Sequence, residues 1–122
     1  MRVLMIGLKS SAVDFKKWPQ LSVEKLEASF AAVRDGVRAA GHEPEWCLVD
    51  AERESAAAEV AASLKSFQPE LVLVGAGVRT DPDHLLLFET ILNLTVEHAP
   101  KAKFAFNSLP NDSVEAIQRW TE

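Results

Sequence analysis

The residues best suited to chemistry in this chain are Gly75-Ala76-Gly77 followed by Arg79. Two glycines at the exit of a strand admit positive φ and let a bound group approach the backbone. An arginine beside them offers a planar fork that grips phosphate or carboxylate. The same residues also suit a plain strand-to-helix turn that needs glycine for steric reasons, with Arg79 in solvent. Lys9-Ser10-Ser11 adds a cation and two hydroxyls, and Asn107-Ser108 adds an amide and a hydroxyl. Gathered at one edge, Lys9, Ser10, Ser11, Gly75, Ala76, Gly77, Arg79, Asn107 and Ser108 are expected to receive an anionic, nucleotide- or phosphate-like small molecule.

Other arrangements point less sharply. The segment from Lys9 to Leu21 exceeds the usual strand-to-helix connection of about 2–6 residues, and it mixes Phe15 and Trp18 with Lys16 and Lys17. It reads as a lid, with Lys16 or Lys17 meeting an anion and Trp18 stacking on a ring, or as a loop that Phe15 and Trp18 merely pin down. Asp50 would hold ribose hydroxyls only if G-x-G-x-x-G preceded it, and Gly7-Leu8-Lys9-Ser10 does not supply that pattern, so Asp50 reads as a turn residue. Ser10, His84 and Asp50 lack the G-x-S-x-G context of a nucleophile elbow. No His, Cys and acid set has metal-ligand spacing. The lone Cys47 reads as a small buried hydrophobe. The expectation is therefore no catalytic set and no metal, with the cofactor unidentified.

The elements that must position these residues alternate along the chain. Residues 2–8 form an apolar strand suited to burial on both faces. From Ser22 to Ala40 the positions Val23, Leu26, Phe30, Val33, Val37 and Ala40 step by three and four, so the spacing predicts an amphipathic helix capped by Ser22 and stopped by Gly41. Glu45–Val49 reads as an edge strand, because Pro44 cannot donate to a ladder. Residues 54–67 read as an alanine-rich helix and 71–74 as a third strand. Asp81-Pro82-Asp83 opens a helix to about His98. Lys103–Phe106 is the fourth strand, and a last helix runs from Asn111 or Asp112 to Trp120.

The order β-α-β-α-β-α-β-α predicts one α/β domain over residues 1–122. Right-handed crossovers then give a three-layer, four-stranded parallel sheet with helices on both faces, and resemblance to the flavodoxin-like doubly wound arrangement implies the order 2-1-3-4. At the level of element order the whole chain resembles small Rossmann-like or flavodoxin-like domains, the class that includes flavodoxins and response-regulator receivers. Receivers carry paired acids after strand 1 and a phosphoacceptor aspartate ending strand 3; here Leu8-Lys9-Ser10 and Val74-Gly75-Ala76 stand there. Flavodoxins have a hydroxyl- and glycine-containing phosphate loop after strand 1, and Lys9-Ser10-Ser11 shares only the hydroxyls. The resemblance implies a ligand crevice at the strand C-ends, at the switch point between strands 1 and 3.

Composition excludes other classes. With 48% hydrophobic and 25% charged residues the chain has the make-up of a globular domain. A net charge of −5 opposes a nucleic-acid platform. No apolar run nears the roughly 20 residues of a bilayer span, so no membrane partner is expected. The N-terminus lacks a signal-peptide pattern, and one cysteine makes no internal disulfide, which suits a cytoplasmic home. Helix 82–98 is apolar around most of its girth and the fourth strand leaves an open edge, so a homodimer is expected, and a homo-oligomeric interaction or assembly module using that helix or strand is the alternative function. A small hydrolase or transferase is the third.

Overall fold

The computed structural model describes residues 1–121. Four strands, β1 (Arg2–Leu8), β2 (Glu43–Val49), β3 (Leu71–Val74) and β4 (Lys103–Phe106), form one parallel sheet in the order β2-β1-β3-β4. Helix α1 (Val23–Ala39) joins β1 to β2, and α2 (Arg53–Phe67) joins β2 to β3. A one-turn helix α3 (Ala76–Arg79) and the longer α4 (Leu85–His98) lie between β3 and β4, and α5 (Ser113–Gln118) follows β4.

The period of two along each strand sorts the core into halves. Leu4, Ile6, Leu8, Val72 and Val74 face α2 and α4, where they meet Val60, Leu64, Leu87 and Ile91. Val3, Met5, Leu71, Leu73 and Ala105 face α1 and α5, where they meet Val33, Val37, Ala116 and Ile117. Each fully buried aliphatic side chain contributes about 1.5–3 kcal/mol, which makes these two half-cores the main source of stability.

Three boundaries and one backbone conformation depart from the sequence reading. β2 starts at Glu43 and includes Pro44. The Glu43 N–H donates to the Met1 carbonyl (3.0 Å), so alternation turns Pro44 toward the free edge, where no donor is needed. Helix α4 begins only at Leu85, after a 3-10 turn at Pro82–His84. The final helix ends at Gln118, short of Trp120. Last, Gly75 and Gly77 do not use positive φ. Among the described residues only Gly41 (φ 93) and Gln68 (φ 51) do. The chain passes straight from β3 into α3 with Gly75 extended (φ −69, ψ 153), so no left-handed residue is called for.

Candidate functional site

Glycine at the two central strand ends creates the site. On the α1/α5 face the alternation Val3, Met5 continues to Gly7, and Leu71, Leu73 continues to Gly75. The register sets Met5 beside Leu73, and the Gly75 N–H donates to the Ile6 carbonyl (2.9 Å), so the two glycines are neighbours. A Cβ at Gly75 would lie 3.5 Å from the Ile6 carbonyl oxygen and 4.0 Å from the Gly7 Cα. At Gly7 it would meet Leu48 at 3.6 Å and Trp46 at 3.7 Å. These are ordinary contacts, so glycine is not sterically imposed at either place. What the pair leaves is empty space: a cavity of about 420 Å³ over the floor Gly7–Leu8 and Gly75–Gly77. That volume falls in the roughly 300–1,000 Å³ range of small-molecule sites.

The walls come from four parts of the chain. Helix α1 supplies Leu26, Phe30 and Val33, and β2 supplies Trp46. The Phe30 and Trp46 rings lie 5.1 Å apart at 58°, and the Trp46 indole N–H donates to the Phe30 carbonyl (2.9 Å), which fixes that wall. The loop after β1 crosses the opening with Val13, Asp14, Trp18, Gln20 and Leu21. The β3 and β4 exits add Thr80, Asp81, His84, Asn107, Ser108 and Ser113.

The crossing loop is latched. Lys17 Nζ donates to both oxygens of buried Asp81 (3.1 Å each) and to Asp83 (2.5 Å). Asp81 also accepts from the Asp83 N–H (2.9 Å), and His84 Nε2 stands 3.7 Å from its other oxygen. That backbone donor first, and the Lys17 ammonium after it, hold the Asp81 carboxyl below the usual aspartate range. Asp83 and then Asp81 push the Lys17 ammonium above its ordinary value.

The residues singled out in the sequence divide into two groups. Gly75, Ala76, Gly77, Asn107, Ser108 and Trp18 line the cavity. Lys9, Ser10, Ser11, Phe15, Lys17 and Arg79 do not. Lys9 instead pairs with Asp50 (3.6 Å) and Glu59 (4.0 Å), on the α2 side. The Ser10 hydroxyl donates to Glu27 (2.7 Å), and Ser11 is exposed. Arg79 donates through Nη2 to the Asn107 carbonyl and lies over the Phe106 ring, 5.5 Å from its centroid. Asn107 is a strut: its Oδ1 accepts from the Ala76 N–H (2.9 Å) and its Nδ2 donates to Ser113 (3.0 Å).

Sequence reasoning missed the aromatic wall of Phe30 and Trp46, and the roles of Asp81 and His84. Trp46 carried a signal, since a large indole alternating along an edge strand has to cover something. Asp81 reads from sequence only as a helix cap, because its other partner, Lys17, is 64 residues away. Among the described residues no three His, Cys, Asp or Glu side chains gather to hold a metal ion, and no helix is long and apolar enough to cross a membrane. No family model matches this chain, and neither curated proteins nor solved structures give a match to it.

Proposed function

We propose that this domain binds a small molecule in the cavity above Gly7 and Gly75, with residues 9–21 as its lid, in a cytoplasmic setting that the single buried thiol of Cys47 suits. The glycine pair is the observation that carries the reading. Glycine inside a strand costs roughly 0.5–1 kcal/mol against alanine. Here neither backbone angle nor crowding demands it, so the return is room for a ligand. Ligand-observed NMR with a fragment library tests this. Fragments should bind the natural chain and be lost from Gly75→Val at an unchanged melting temperature. The same fragments binding both proteins, or none binding either, would remove the reading.

A second reading, self-association through β4, has its own support. The Lys103 N–H points to β3, bonding the Glu70 carbonyl (3.1 Å), so alternation turns the backbone groups of Phe104 and Phe106 outward. A second copy running antiparallel about Ala105 would set Phe104 against the partner's Phe106, extending the stacked pair whose centroids lie 6.2 Å apart. Arg119 Nη2 now covers the Phe106 carbonyl (3.1 Å) and would have to release it. Sedimentation equilibrium should show dimer that Phe106→Pro, which removes an outward N–H at an exposed position, abolishes. A monomer at high concentration ends this reading and leaves the first untouched.

A further inference from the structure

We infer that the molecule this cavity takes is uncharged and ring-bearing, in place of the phosphate- or nucleotide-like anion that the rim's residue types suggest; the inference rests on the cavity being a ligand site, as proposed above. The first ground is where the cations are. No lysine or arginine lines the cavity. Lys9, Lys17 and Arg79 are each held elsewhere, on Asp50 and Glu59, on Asp81 and Asp83, and on the Asn107 carbonyl.

The second ground is that most backbone donors an anion would use are taken, with the Gly77 N–H left over among the described residues. The N–H groups of Ser108 and Leu109 are taken by the Asp112 carboxylate (3.0–3.2 Å), a built-in anion at the β4 exit. The Ala76 N–H is taken by Asn107 (2.9 Å). Meanwhile Asp14 and Asp81 stand among the lining residues, so an arriving anion meets like charge while losing its hydration.

The third ground is the shape and chemistry of what remains. Trp18, Phe30 and Trp46 offer aromatic surface above a floor that two adjacent glycines leave flat. Most lining polar groups already serve one another: Thr80 donates to the Ala76 carbonyl, and Asn107 and Ser113 bond together. The Ser108 hydroxyl and the Gln20 amide have no such partner among the described residues, and His84 keeps Nδ1 uncommitted. One or two uncharged hydrogen-bonding groups on a ring match that complement.

A series sharing one ring measures the charge preference: tryptophol (uncharged), indole-3-acetate (anion) and tryptamine (cation), with inorganic phosphate alongside, each titrated calorimetrically into the full chain. The expected result is tryptophol binding at least tenfold tighter than indole-3-acetate, no heat from phosphate, and loss of tryptophol binding in Gly75→Val. Indole-3-acetate binding as tightly or more tightly, in a manner that Lys17→Met weakens, overturns the inference while the ligand site stands. Phosphate binding, tryptamine preferred tenfold over tryptophol, or all three indoles failing where library fragments bind, also overturns it. Failure of the whole fragment library strikes the ligand site itself, so the two failures are told apart.

Discussion

The two sides of this sheet are built from the same strands and end differently. Toward α2 and α4 the side chains continue to the rim, with Leu8 and Val74 closed over by Val78 and Leu87. Toward α1 and α5 the packing stops at Met5 and Leu73, and Gly7 and Gly75 open a cavity in the next layer. One side is a finished core and the other is a core with its last layer left out. In a chain this small, where net stability is only about 5–15 kcal/mol, an omitted layer is a noticeable sacrifice, and it is the ground for proposing a ligand on that side.

Truncation separates the two sides most strongly. Ile91→Ala, on the closed side, should lower the unfolding free energy by about 2–5 kcal/mol, since it leaves a void in a fully packed region. Leu21→Ala, on the wall of the existing cavity, should cost less than about 1 kcal/mol, because that half-buried side chain already borders space. Equal losses in urea denaturation would mean the two sides are alike after all. Next in size, Gly7→Ala and Gly75→Ala should each raise stability by about 0.5–1 kcal/mol while weakening ligand binding. A loss of stability in either would return the glycines to a steric explanation.

The smallest expected effect is on the latch. The Asp81 carboxyl sits below the usual aspartate value of 3.8, so its contribution is complete above that value and drains away as pH falls through the lower, folded one. Lys17 is raised above 10.5, so its contribution is complete below that and disappears as pH rises through the folded value. The loop is therefore held across the whole neutral range and is expected to loosen at both extremes. The Trp18 indole N–H resonance should report this in a pH titration with an acid midpoint under 3.8. A midpoint at the ordinary value, or no difference between the natural chain and Lys17→Met, would detach the loop from Asp81. As a half-exposed, solvent-screened ion pair the latch adds little to global stability.

Much of this architecture is legible in the residues, and the reasons are local. The period of β1 and β3, the three-and-four spacing of α1 and the proline stops act within one element, so parallel strands joined by helices follow from them, while the order β2-β1-β3-β4 is legible only through likeness to the doubly wound arrangement. The location of the cavity at the β1/β3 switch follows from the same topology. What is not legible is long-range pairing. Lys9 and Arg79 are cations at the right edge, yet Asp50, Glu59 and the Asn107 carbonyl claim them, and no pattern in the sequence announces such partners. The Gly75-Ala76-Gly77 run suggests conformational freedom, whereas the face that Gly75 occupies matters more. Gly7 gives no signal of its own, because a glycine within an apolar strand reads as filler until the register sets it beside Gly75.

The placement of the three tryptophans has a practical corollary. Trp18 and Trp46 border the cavity, while Trp120, 48% exposed beyond α5, does not. In a Trp120→Phe background, all indole emission arises from two residues on the cavity wall. The protein then carries its own optical gauge of occupancy, one that needs no dye and responds whatever the identity of the molecule that fills it.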